Sequence, residues 1–295
     1  MTVTKKLALK AARELIAGGT KTARKIVAAH PTGGVQSWAG VFKKLIAQAE
    51  SIESLTLERA AFSVFARGNS KLPFWSFSSM AILDCPGAGE CSTKGWCYSL
   101  KAFRYPNALA RMVSNSMLLR AQAGRDLIAR EFAQLITETV RLYVDGDFDS
   151  KETLTFWMDL IKTRPDIQVY GYSKSWVEFV ALHLSGYAWP ENYLLNLSGG
   201  SRFGDGVRVA MESLPVVRGE FLAVPVDREH LKNHSYQSRR NTGFRDYAKQ
   251  VRENAGRKIF VCSGDCGDCL TIAGKNQHAC GSEKLRGVAI AIGTH

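Results

Sequence analysis

The chain has 295 residues, 45% of them hydrophobic, and its 39 Lys and Arg against 27 Asp and Glu leave a net charge of +12. That length and apolar content build the core of a globular protein. No apolar run of about eighteen or more residues is present and the start, MTVTKKLALKAARELIAGG, lacks the apolar stretch of a secretory signal, so a cytoplasmic protein without a membrane partner is expected. The positive field suits nucleic acid, nucleotides or anionic cofactors and also serves solubility, so charge alone selects no ligand.

Residues 1–60 read as basic helices. Leu7, Ala11, Leu15 and Ile16 share one face beside Lys5, Lys6, Lys10 and Arg13, and Gly18–Gly19 breaks the helix. A second helix over Thr20–His30 carries Lys21, Arg24 and Lys25, and a third, around Ser37–Glu50, follows the turn HPTGG. Helix, glycine turn and basic helix loosely match a helix-turn-helix DNA reader, and equally a helical cap with a solvated basic face.

From residue 72 strand-like and helix-like segments alternate. LPFWSFSSMAIL (Leu72–Leu83) reads as a strand ending at Cys85, and Asn107–Thr139 as helix with a break at Gly124. VRLYV (Val140–Val144) is a strand ending in the loop DGDFDS, and Lys151–Thr163 a helix with Leu154, Trp157, Met158 and Ile161 on one face. IQVYGY (Ile167–Tyr172) is a strand ending at Ser173 and Lys174. A helix through Trp176–Leu184 leads to the strand YLLNL (Tyr193–Leu197), which ends at Ser198, Gly199 and Gly200. FLAVPV (Phe221–Val226) and KIFV (Lys258–Val261) are further strands, the last running into Cys262. The βαβα order predicts an α/β fold with a parallel sheet and crossover helices. In such sheets ligands gather at the carboxyl ends of the strands, where Cys85, Asp145 to Asp147, Ser173, Lys174, Ser198 to Gly200 and Cys262 all fall. Turn chemistry alone also favours Gly, Ser and Asp there, and Trp157 and Trp176 read as core.

The seven cysteines, an odd number, suit clustered thiols that hold metal better than a disulfide framework. The loop CPGAGECSTKGWC spaces Cys85, Cys91 and Cys97 as C-x5-C-x5-C, with Tyr98 next, and three ligands leave a position open. Ordinary buried cysteines are the alternative. The second group, Cys262-x3-Cys266-x2-Cys269-x10-Cys280, is a complete four-thiolate set for zinc or an iron–sulfur cluster. His278 can replace Cys280, although a solvent-exposed histidine is the simpler expectation. The first three spacings of this set match the C-x3-C-x2-C by which radical S-adenosylmethionine enzymes hold a [4Fe–4S] cluster.

The runs CPGAGEC…WCYSLKA, VRLYVDGDFDSKETLTFWMDLIK, VYGYSKSW, CGDCL and RGVAIAIGTH together resemble the phage and plasmid "gene product eighty-eight" family. The resemblance, over about residues 72–295, implies an origin in mobile genetic elements, a cysteine-dependent metal site and a parallel (β/α) partial barrel similar to radical S-adenosylmethionine enzymes. Three parts are expected: a basic helical region (1–68), the α/β partial barrel with the first cysteine loop (69–257), and a C-terminal strand with a four-cysteine module (258–295). Two functions follow. In an iron–sulfur enzyme, Cys85, Cys91 and Cys97 hold a [4Fe–4S] cluster and S-adenosylmethionine binds beside it. Asp145, Asp147 and Lys174 then act on cofactor or substrate, with Tyr98, Ser173, Ser198, Gly199 and Gly200 around the cofactor; Cys262, Cys266, Cys269 and Cys280 hold a second cluster, or zinc. In a nucleic-acid-binding protein, both metal sites are structural and the basic N-terminus and residues 228–258 meet phosphate.

Overall fold

The computed structural model describes residues 3–29, 37–56, 60–93, 97–227, 243–272 and 274–294. At its centre is a seven-stranded sheet in which every ladder is parallel, in the order β1-β2-β3-β4-β5-β9-β6. The strands are β1 (Trp75–Ser76), β2 (Thr139–Leu142), β3 (Gln168–Ser173), β4 (Tyr193–Ser198), β5 (Val217–Pro225), β6 (Phe260–Val261) and β9 (Ile290–Thr294). A separate antiparallel hairpin, β7 (Leu270–Ile272) with β8 (Lys275–Gln277), lies between β6 and β9 in sequence. β1 and β6 are the edges, and among the described residues no ladder joins them. The α/β parallel sheet is as the βαβα pattern predicts; the ladder order is that of an open sheet.

One face of the sheet is covered by α7 (Gln122–Ala133), α8 (Lys151–Lys162), α9 (Trp176–Leu184) and α10 (Asp205–Glu212). Strand residues on this side, Val140, Leu142, Val169, Leu195 and Leu197, share a buried cluster with Phe132, Trp157, Met158 and Phe179. Trp157 and Trp176 are core, as their helix faces imply. The alternate strand positions point to the other face. There Tyr170, Leu194 and Ile290 pack against Cys269, Ala279 and Cys280, so the C-terminal cysteine segment lies over the side of the sheet without helices. β4 is therefore buried on both sides, which is why YLLNL reads as an unbroken apolar run.

The N-terminal helices α1 (Val3–Ile16), α2 (Thr20–Ala28) and α3 (Trp38–Glu50) fall close to their predicted bounds, and the turn at His30–Gly34 lies outside the described residues. Ala11 and Leu15 of α1, Phe42 and Leu45 of α3, and Leu109, Met112 and Val113 of α6 (Pro106–Arg120) form one buried cluster. Gln48 donates to Ser114 Oγ at 2.7 Å inside it.

Several local expectations are corrected. Of Leu72–Leu83 only Trp75–Ser76 is strand, because the chain then turns so that Ser79 N–H meets the Asp145 carbonyl at 3.0 Å. The helical break falls at Ala121, between α6 and α7. Gly124 lies inside α7, where a Cβ would stand 2.3 Å from the Leu118 carbonyl oxygen; it allows close contact of the two helices and does not end one. His278 is buried, 4% exposed, between Phe74 and Tyr170. Within 228–258, expected as an exposed basic patch, 228–242 lie outside the described residues. Residues 243–255 form α11 (Gly243–Ala255), which buries Phe244, Tyr247 and Val251 and leaves Arg245, Lys249 and Arg252 exposed.

Because α1 and α2 cover the apolar face of α3 and α6, removing residues 1–36 exposes that face. The truncated chain is expected to lose several kcal/mol, seen as a fall of about 10 °C in Tm. A truncated chain that melts with the full-length one shows instead that α1 and α2 are an appendage.

Candidate functional site

The first cysteine loop is held down before it begins. Asp84, 1% exposed, accepts from Arg120 at 2.8 Å and from the Ser116 hydroxyl, and Arg120 also pairs with Asp149 at 2.7 Å. One arginine on α6 thus fixes both the chain entering Cys85 and the loop after β2. The glycines of CPGAGEC then let the backbone lie flat on the strand ends. A Cβ on Gly87 would stand 1.6 Å from the Lys174 carbonyl oxygen, and one on Gly89 2.5 Å from that of Gly200. The loop is tied there by Arg202 N–H to the Gly87 carbonyl at 3.1 Å and by an antiparallel bridge between Ala88 and Ser201.

That docking makes a cavity of about 100 Å³. Cys85, Cys91, Cys97 and Tyr98 line it from the loop, Asp147 from the end of β2, Ser173 and Lys174 from the end of β3, and Ser198 from the end of β4. The strand-end convergence predicted for these residues is thus present. A second cavity of about 400 Å³ adjoins, and Tyr98, Tyr172 and Ser198 line both. It contains Cys262, Cys266, Cys269 and Cys280 together with Arg141, Lys101, Phe221, Phe260 and His278. All seven cysteines are free thiols, with Cys269 and Cys280 buried and the other five half-buried.

The polar residues divide by role. Asp147 accepts from Ser173 Oγ at 2.7 Å, from Lys174 N–H at 2.7 Å and from Phe148 N–H at 2.8 Å, so its carboxylate fixes the turn that presents Lys174. Burial nevertheless pushes its carboxyl up to about 6, since those donors offset only part of the desolvation. Lys174 Nζ reaches Ser198 Oγ. Asp145 turns aside to Ser78 Oγ at 3.3 Å, and its carboxyl is also raised by burial. Of the expected residues, Asp145, Gly199 and Gly200 do not line either cavity. Gly199 N–H continues the ladder to the Phe221 carbonyl at 2.8 Å, and Gly200 is the floor under Gly89. Tyr98, 56% exposed, is held by its hydroxyl on the Val144 carbonyl, so it stands at the opening between the cavities.

Burial dominates the chemistry of the thiols. Burial pushes the Cys85 thiol well above its ordinary range, with Asp147 adding to the rise. Burial raises Cys280 to about 11, and it raises Cys262 further, with Cys280, Cys266 and Cys269 contributing. Such thiols stay protonated until a soft cation displaces the protons. Two sulfurs already accept backbone N–H groups, Cys269 from Ala279 at 3.1 Å and Cys262 from Gly264 at 3.4 Å, the outer hydrogen bonds that bound thiolates use. Among the described residues, however, no three His, Cys, Asp or Glu side chains converge closely enough to hold one metal ion. His278 has no hydrogen-bond partner at either nitrogen, and desolvation lowers it to about 4, so it is neutral.

Arg141 and Tyr172 were not singled out from sequence. The signal was available: a charged residue at an inward position of a strand whose neighbours Val140 and Leu142 are core.

An α/β chain whose main sheet is all parallel, with cysteines outside any disulfide at its strand ends, is the class that fold and site define. Residues 43–278 match the model of the family Gene product 88, and the chain belongs to that family. No curated protein and no solved structure matches it. Among the described residues no helix is long and apolar enough to cross a membrane.

Two outcomes follow from the geometry. Gly87→Ala forces the loop off Lys174 and is expected to cost more than about 3 kcal/mol, whereas Gly204→Ala, with nothing within 4 Å, is expected to be nearly neutral. Equal melting of the two variants would remove the docking argument. Asp147 holds its proton more tightly folded than unfolded, so stability falls as pH rises from the ordinary 3.8 through about 6. Asp147→Asn should flatten that part of the stability–pH curve in urea titrations between pH 4 and 7; an unchanged curve shows that the carboxyl is not desolvated.

Proposed function

We propose that this chain is an iron–sulfur enzyme of a mobile genetic element, similar to radical S-adenosylmethionine enzymes in placing an open three-cysteine site at the ends of parallel strands. The observation that carries the reading is the single cavity lined by Cys85, Cys91 and Cys97 and by Asp147, Ser173, Lys174 and Ser198 from three different strand ends. The thiols border a shared space without converging on a point. A four-iron cluster fills a space, whereas zinc, with bonds of about 2.3 Å, draws its sulfurs together. Bound there, a [4Fe–4S] cluster supplies one-electron chemistry, with S-adenosylmethionine as the radical source.

The chain's own residues position and shield. Asp147 fixes the Ser173–Lys174 turn, which leaves the Lys174 ammonium for a carboxylate, and Ser198 orients that ammonium. Tyr98 narrows the opening to water. Cys262, Cys266, Cys269 and Cys280 hold a second cluster, with zinc as the alternative at that four-thiolate set. The second reading, a nucleic-acid-binding protein with structural metal sites, is favoured by the net charge of +12 and by Lys10, Arg13, Lys21 and Lys25, all exposed on α1 and α2.

Anaerobic purification with iron, sulfide and zinc analysis tests the reading. A brown protein whose broad visible absorption bleaches on reduction is expected, and zinc without iron would sink the proposal. Cys266→Ser is expected to lose metal and stability together, because binding free energy at a closed site is folding free energy. Cys91→Ser should lose one cluster with little change in Tm.

A further inference from the structure

We propose that the larger cavity binds a small organic anion, a carboxylate or phosphate on a flat apolar body, with the anionic group on the Arg141 guanidinium. Arg141 lies on β2, on the side of the sheet away from the helices, and lines the cavity of about 400 Å³ that the four cysteines of the second set also line, so an anion on Arg141 occupies the part of that space not taken by a metal held by those thiols. Its Nε is shut off from solvent and has no hydrogen-bond partner. Among the described residues the guanidinium donates no hydrogen bond and forms no ion pair. The Tyr172 ring faces it with its centroid 4.6 Å away, and Tyr170, Tyr98, Cys266 and Asp145 are near enough to interact with its charge. A guanidinium cannot escape burial by losing its proton, so a half-buried one whose Nε lacks an acceptor favours an anion in the cavity it lines.

This fold provides for its other arginines in the sheet and on α6. Arg218, fully buried on the same face but three strands along on β5, bonds Asn196 Oδ1 at 2.6 Å and the carbonyls of Leu285, Val288 and Glu220 at 2.8, 2.8 and 3.2 Å. Arg120 has Asp84 and Asp149. Asp145, four residues further on, accepts from Ser78 Oγ and forms no ion pair with Arg141, although its carboxyl feels that charge. Only Arg141 is left with its donors aimed into a cavity. The rest of the lining fits an aromatic or otherwise flat body: Tyr172 and Phe221 meet at right angles with centroids 4.8 Å apart, Phe260 adds a further wall, and Lys101 adds a second cation at the exposed side. As a binding site this stands alone; as the substrate site of the enzyme it rests on the cluster reading.

The anaerobically purified full chain is titrated calorimetrically with benzoate and with phenyl phosphate, benzyl alcohol serving as the uncharged control. One equivalent of at least one anion is expected to bind, which of the two separating carboxylate from phosphate, with no heat from benzyl alcohol. Arg141→Gln should weaken the anion by about ten-fold or more while iron content and Tm hold, and Arg141→Lys should recover part of the loss. Lys101→Gln, which is exposed and needs no refolding of the site, should weaken it by about three-fold. The inference is overturned if neither anion binds at millimolar concentration or if benzyl alcohol binds as tightly. It is also overturned if Arg141→Gln binds like the parent, or if that variant loses iron while Lys101→Gln binds unchanged, which makes Arg141 a counter-charge for the thiolates. An iron-free chain that binds the anion through Arg141 defeats the cluster reading and supports this one; an iron-containing chain that binds neither anion does the reverse.

Discussion

The contact on which the site depends is backbone against backbone: the CPGAGEC loop lying on the ends of β3 and β4 at Gly87 and Gly89. A side chain at either position would clash with the backbone of the strand ends and push the loop off them. With the loop seated, three thiols face Asp147, Lys174 and Ser198. The seat exists because the ladders from β1 to β5 are all parallel, so that each strand delivers its following turn to the same edge of the sheet. Arg120 completes the arrangement from α6 by holding Asp84 and Asp149, and α6 is itself braced by the N-terminal helices. The basic first residues and the cysteine loop, far apart in character, are mechanically linked through one helix.

The two faces of the sheet are stabilised differently. The helix side is an apolar cluster in which burial does the stabilising. The other side carries Tyr170, Tyr172, Asn196, Arg218 and Arg141 under a segment with only short strands and turns. That segment is held by specific bonds: Asn196 Nδ2 to the Cys280 carbonyl at 2.9 Å, Arg218 to Leu285 and Val288, and Cys266 N–H to the Lys71 carbonyl at 2.9 Å. The last of these brings the segment across to the chain entering β1, the opposite edge from β6. Two sheet edges that do not pair with each other are thus spanned by the cysteine module.

Much of this was legible from sequence because the signals were local. The helix Trp176–Leu184 and the strand run YLLNL carry their period and their turn residues within themselves, and the strand-end rule then placed Cys85, Asp147, Lys174 and Ser198 together. What was not legible depended on distant pairing. β9 enters the sheet between β5 and β6, although it follows both in sequence, and no local pattern encodes that insertion. β1 is two residues long because the chain turns after it to bring Ser79 onto the Asp145 carbonyl, a distant contact, so the aromatic run Leu72–Leu83 overstates it. Gly124 looked like a helix breaker, since in sequence a glycine for close contact and a glycine for a bend are the same letter. His278 looked exposed because polarity was its only local attribute; Phe74 and Tyr170, which enclose it, lie about a hundred residues or more upstream.

The shared wall between the cavities has a chemical consequence. Tyr98, Tyr172 and Ser198 line both spaces, and the same Tyr172 ring faces Arg141. Lys174, bonded to Ser198, and Arg141, stacked on Tyr172, therefore bring one positive charge to each side of that wall, while the thiols of both sets surround it. An anion entering either space meets one of these cations, and in a low-dielectric site that attraction is stronger than in water. Arg218, committed to four acceptors, cannot move to meet one; Arg141, committed to none, can serve an anion on its own side. One arginine of this face is thus bonded into the module while the other lines the cavity with its Nε unbonded.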